Sequence, residues 1–225
     1  MYLLTACREL CSKLTQGYDK SHDLEHHELV LKNVLSILET EPRKDTRTIN
    51  LTCISALLHD TIDDKYCSYE QKLQKQAELH SFLEEYASDE VDNILWIINN
   101  ISFSKEKKRG YPAVHDDPEI TLALRIVSDA DKIEALGVTG IQRMLDFNMG
   151  TPSDTLSAIP KRTSVESMVL RIKEHTEEKL ALLKDHYIHT VGGKRLAKPL
   201  HDEMMDLVND TQRLTEMVQN DGRFV

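Results

Sequence analysis

The sequence predicts an all-α protein, and three observations carry that expectation. Apolar residues recur at steps of three and four along most of the chain, the period of one face of a helix. Period-two alternation, the mark of a half-buried strand, is scarce. Only 8 Gly and 6 Pro among 225 residues leave little room for the many tight turns of an all-β fold. The length suits a core of its own and is short for two full-sized domains, so one helical domain over 1–225 is expected.

Taken in order, Leu3, Cys7, Leu10 and Leu14 mark a first helix, stopped by Gly17. Leu24, His27, Leu31, Val34 and Leu38 mark a second, ending before Pro42. A third runs through Cys53, Ala56, Leu57 and Leu58 up to His59. Ser68 with Gln71 three places on resembles a capping box for a fourth, through Leu79 and Leu83. Ser88 or Asp89 opens a fifth, carrying Val91, Leu95, Ile98 and Ile101. The polar stretch SFSKEKKRGYPAVHDDPE reads as one long loop, a length that compact domains keep for function. Pro118 opens the next helix, with Ile120, Leu124, Val127 and Ile133 on its apolar face. Gly137 breaks that helix, and another continues through Ile141 and Leu145. NMGTPSDTLSAIPKRTS reads as a second loop. Two long helices follow, Val165 to about Tyr187 and about Lys194 to Val218; the last suits docking on the core or on a partner subunit.

With 38 acids against 28 Lys and Arg, the formal charge is −10. That balance argues against a nucleic-acid polymer as partner, which needs basic residues spread over one face. No segment approaches the roughly 18 uninterrupted apolar residues of a membrane span, and MYLLTACREL lacks the basic start and apolar run of a secretory signal. Cys7, Cys11, Cys53 and Cys67 show no zinc-finger spacing and read as buried thiols in a reducing compartment. A cytoplasmic protein is expected.

Acids and imidazoles interrupt this pattern where core helices want apolar side chains. His26 shares a face with Val30, Val34 and Ile37, His59 and Asp60 follow the run Ala56-Leu57-Leu58, and Asp131 points with Leu124 and Val127. One such residue has an ordinary reading: a lone core His is more often simply hydrogen-bonded, and an Asp near a helix end pairs with a base. Together they need a common cause, because a carboxylate on a buried face is costly unless it is paired or holds a cation. A divalent metal with nitrogen and oxygen ligands supplies one. Among cations near these positions, Lys65 follows the acids after His59, Lys132 follows Asp131, Lys20 precedes His22, and Lys105 lies in the basic loop. Each is a candidate for holding phosphate, against the plainer reading of a solvated charge. Phe103 and Tyr111 flank that loop, as stacking platforms for a base or as loop anchors.

The segments SHDLEHHELV, ALLHDTIDDK and IVSDADKIEALG resemble the HD-domain metal-dependent phosphohydrolase superfamily, whose ligands run His, His-Asp, Asp in chain order. The resemblance covers about residues 18–145 in motif terms and extends to KLALLKDHYIHT near the end, with C-terminal helices over about 164–220. It implies a helical HD-domain bundle with a helical C-terminal extension, and His26, His59, Asp60 and Asp131 as metal ligands. His22 and His27 stand beside His26, and Asp129 beside Asp131, as the alternatives at those places. His22 becomes a supporting or substrate-facing residue. Asp63 and Asp64 follow His59 and Asp60 by four, one helical turn on if the helix continues, and the resemblance gives them the task of orienting or deprotonating water. The implied cofactor is one divalent ion, Mn²⁺ or Mg²⁺ ahead of Fe²⁺, Co²⁺, Ni²⁺ and Zn²⁺. The implied reaction is hydrolysis of a phosphate ester or anhydride of a small molecule, a nucleotide first among them, by a monomer or homodimer. The alternative is a catalytically idle module of the same fold that senses nucleotides or bridges partners.

Overall fold

The computed structural model describes residues 2–19, 22–63, 66–150 and 164–222, and residues 146–150 by their backbone only. The elements are α1 (Tyr2–Leu14), α2 (Leu24–Thr40), α3 (Thr46–Leu58), α4 (Tyr69–Tyr86), α5 (Val91–Asn100), α6 (Phe103–Arg109), α7 (Pro118–Glu134), α8 (Gly137–Gly150), α9 (Val165–His175), α10 (Val191–Asn209) and α11 (Thr211–Asn220). No strand occurs among the described residues, as the sequence led one to expect.

Three helices form the centre. α2, α3 and α7 pack on one another, and α1, α5 and α10 close around them. α3 carries buried residues on all sides, from Leu51 to Leu58, which is why its sequence reads as an apolar run instead of a stripe. α2 starts where Asp23 accepts from the backbone N–H groups of Glu25 and His26 at 2.9 and 3.3 Å. α3 stops where side chains take over its last carbonyls: the Thr61 hydroxyl donates to Leu58 O at 2.9 Å, and His59 Nδ1 to Ala56 O at 2.8 Å. Cys7 and Cys11 are buried in α1, and burial pushes both thiols up to about 12, so they stay protonated and inert.

The basic stretch is not one loop. Ser102 caps α6, Gly110 in the left-handed region closes it, and Glu106 anchors it in the interior. Seven residues are too few for a periodic pattern to show. Helical backbone runs unbroken over 165–187, as expected, with α9 passing into π-helical turns at Thr176–Leu180 and Leu183–Tyr187. The last expected helix is instead divided at Asp210, which both ends α10 and caps α11. α10 begins at Val191, earlier than its apolar rhythm suggests, because Thr190 caps it by accepting from Gly193 N at 2.9 Å. It docks on the core against α2, α7 and α8. No helix among the described residues is long and apolar enough to cross a membrane.

Candidate metal centre

The ends of the three central helices meet at one point. His26 lies in the first turn of α2, His59 and Asp60 directly follow α3, and Asp131 lies in the last turn of α7. His26 and His59 are buried, with their Nε2 atoms 3.3 Å apart. Asp131 Oδ1 lies 3.6 Å from each Nε2, and Asp60 Oδ2 lies 3.8 Å from that of His59. Because Nδ1 of His59 donates to Ala56 O, Nε2 is the nitrogen left to face this point.

The electrostatics describe a site that wants a positive charge. Burial alone would lower His59, but Asp60 and Asp131 outweigh it and push the imidazole up to about 9. Burial would raise Asp131, yet His59 and His26 hold its carboxyl well below the usual carboxylate range. Burial, with Arg143 and His59 nearby, keeps His26 neutral. A cation meets the same demand without a proton. Two imidazole nitrogens and two carboxylates form a donor set suited to a first-row divalent ion or Mg²⁺. Their 3.3–3.8 Å separations approach those of neighbouring ligands about 2.0–2.2 Å from a shared ion. Among the described residues, His26, His59 and Asp60 are the only group of three or more such side chains close enough to share a metal.

No family model matches the sequence, and no curated protein does. Solved structures do. A protein from Lactobacillus plantarum superposes with a TM-score of 0.69 at 24% identity, covering 94% of this chain and 96% of its own. YpgQ of Bacillus subtilis, solved in complex with ADP, gives 0.64 at 20% identity and 94% of each chain. An HD-superfamily hydrolase from Bacillus thuringiensis gives 0.59 at 21% identity, over 93% and 95%. The chain has the HD-domain fold.

Within the HD-domain fold, the structure brings His26, His59, Asp60 and Asp131 together and gives each of the alternatives its own surroundings. Asp129 accepts from His189 N, Thr190 N and the Thr190 hydroxyl at 2.9, 2.7 and 2.7 Å, which ties α7 to the start of α10. His27 is fully buried, its ring 4.8 Å from that of His59 and neither of its nitrogens hydrogen-bonded. His22 lies one ring outward from His26, centroids 6.2 Å apart, with Nε2 4.0 Å from Asp63 Oδ2. Asp63 does not stack one helical turn beyond His59, because α3 has already ended; a turn carries it beside His22 instead. Asp64, Lys65 and Lys20 lie outside the described residues.

Lys132 needs a correction. Its three N–H donors go to Glu106 at 2.6 Å, Ser128 at 2.8 Å and Tyr187 O at 2.9 Å, so this buried ammonium holds the fold and has none left for a phosphate. Lys105 borders the cleft but donates to Asn99 O at 2.8 Å, just before the end of α5. Phe103 also borders it, edge-on to Tyr187 at 4.7 Å with Lys179 5.1 Å from its ring centre.

His26, His59, Asp60 and Asp131 open onto a cleft of about 1090 Å³. Its walls bring in cations that sequence reasoning missed: Lys72 of α4, Arg143 of α8, Arg171 of α9 and Lys179 of the first π turn. Arg143 stands close enough to act on both His26 and Asp131. Lys179 opens the KLALLKDHYIHT segment, so that resemblance held a signal. Arg143 sits among apolar neighbours on α8, with no motif to mark it.

Proposed function

We propose that this protein is a metal-dependent phosphohydrolase that cleaves a phosphate ester or anhydride of a small molecule, with nucleotides as the substrate class. The observation that carries the reading is a four-donor cluster of His26, His59, Asp60 and Asp131 beneath a cleft walled by Lys72, Arg143, Arg171 and Lys179. The fold supports the reading, since one neighbour is an HD-superfamily hydrolase and another was solved with ADP.

When bound, a divalent cation, Mn²⁺ or Mg²⁺ foremost, neutralises phosphate oxygens and lowers the pKa of water. His26, His59, Asp60 and Asp131 would hold it. Arg143 and Lys179 bind and orient the phosphates, Arg143 as a fork and Lys179 as a point charge. Asp63, a partly shielded carboxylate at the cleft, takes the proton of the attacking water.

The test is a phosphate-release screen over nucleotides and sugar phosphates with several metals, run beside Asp60→Ala and Asp63→Ala. Asp60→Ala should lose both metal and activity; metal retained at full occupancy sinks the ligand assignment. Asp63→Ala should keep the metal and slow hydrolysis about 100-fold, within the usual contribution of a general base. An unchanged rate removes Asp63 from the mechanism. Metal bound without turnover on the whole panel would favour an idle, nucleotide-sensing module.

A further inference from the structure

Two elements that border the cleft meet over one ring. Phe103 comes from the first turn of α6, and Lys179 from the first π turn after α9. The Lys179 ammonium lies over the Phe103 ring, 5.1 Å from its centre. That is inside the roughly 6 Å within which a cation is drawn to the negative face of an aromatic ring. Tyr187 of the second π turn meets the same ring at 4.7 Å with planes 62° apart. This edge-to-face contact fixes which way the ring is turned. Phe103 and Lys179 are both half-buried, so solvent screens their attraction only in part.

A lysine that is to meet a phosphate has a long, mobile stem, and holding that stem still costs entropy. An acid can hold it, but an acid cancels the charge. Lys132 shows that outcome, with its ammonium against the Glu106 carboxylate. A phenyl ring attracts an ammonium through its quadrupole and brings no net charge of its own. The second cation on this ring is of another kind. Lys107 lies 5.9 Å from the ring centre, but it is exposed, shares α6 with Phe103 and does not border the cleft. A ring that already carries ammonium groups is a poor platform for a base.

We propose that Phe103 is a positioning residue whose ring holds the Lys179 ammonium at the cleft, where Lys179 meets the phosphates of the substrate. Phe103 thus acts on the phosphates through Lys179, and not on the base by stacking. The role rests on the phosphohydrolase reading, which gives Lys179 its phosphate; the contact between ring and ammonium does not.

The experiment compares two inert ligands, methylenebisphosphonate and α,β-methylene-ADP, by calorimetry with Mg²⁺ in excess. They share a diphosphate bridge that water does not cleave and differ by the nucleoside. Phe103→Leu keeps apolar bulk and removes the ring face. It should weaken both ligands about 5-fold, the scale of a half-buried cation–π contact, and raise KM alike with kcat unchanged. In a Lys179→Gln background the same change should cost nothing further, since the two residues act as one unit. Trifluorophenylalanine at position 103 keeps the ring's shape and drains charge from its face. It should weaken both ligands and leave the thermal midpoint where it was. The contact is also read without any ligand: the Lys179 ε-methylene protons should lie upfield under the ring current, and return to the ordinary lysine position in Phe103→Leu. Weakening of α,β-methylene-ADP alone would make Phe103 a base platform and overturn the proposal. So would losses that multiply in the double variant, or a trifluorinated protein that binds as the wild type does. A wild type that binds neither ligand and hydrolyses nothing overturns the phosphohydrolase reading and the role with it, while the ε-methylene shift still decides the contact.

Discussion

Lys132 shows how one position tests two readings. It stands next to Asp131 in sequence, yet it ends in a buried clasp with Glu106, Ser128 and Tyr187 O. Removing one partner of such a pair strands the other and costs about 3–5 kcal/mol. Lys132→Ala should therefore lower the thermal midpoint strongly, with KM unchanged at temperatures where the variant is folded. A raised KM at an unchanged midpoint would return Lys132 to the substrate. Glu106 gives the same clasp a pH signature. Burial would raise its carboxyl, but His189 and Lys132 hold it below the ordinary glutamate value of 4.5. A depressed pKa means that the stability it contributes is present above about pH 4.5 and is lost as pH falls through the lower folded value. Glu106→Gln should unfold at a lower temperature near pH 7, and the difference from the wild type should shrink below pH 4. A constant difference would show that charge is not what Glu106 supplies. None of this was legible from the sequence, where Glu106 lies in a run of charges. The four proposed metal donors do leave a trace in the hydrophobic pattern, because each falls on or directly after an apolar face.

The junction of α10 with α2 and α7 depends on absent side chains. A Cβ on Gly193 would lie 2.6 Å from Asp129 Oδ2 and 2.8 Å from Thr190 Oγ1, and one on Gly192 2.5 Å from the Thr40 hydroxyl. Asp129 cannot yield, since three donors hold it. Gly193→Ala should thus push α10 away from α7 and cost about 1–3 kcal/mol, the range for overpacking. A midpoint within experimental error of the wild type would show that the junction flexes. From sequence, Val191-Gly-Gly looks like a place where a helix cannot begin, so α10 is expected three residues too late. Long helices with full apolar faces, α1 to α5 and α7, were legible. The seven-residue α6 was not, since its one inward residue is an acid whose partners lie on other elements.

Across the whole molecule, the candidate metal centre sits at the termini of the three central helices, so its residues come from segments far apart in sequence but fixed by one core. Folding alone gathers two carboxylates beside two buried imidazoles, in a chain whose formal charge is −10. A cation bound among these donors would make metal affinity measurable as stability. A ligand bound only by the native state adds about 2.7 kcal/mol at a hundred times its Kd. For a chain of this size each kcal/mol moves the midpoint by about 2–4 °C. Melting after exhaustive chelation, then with Mn²⁺ restored to that excess, should show a rise of about 5–11 °C. Asp60→Ala should show none, because Asp60 belongs to the donor set and to no other described hydrogen bond or helix cap. A rise that persists in Asp60→Ala would place the ion elsewhere, and no rise in the wild type would mean that the cluster holds its charge as a proton on His59.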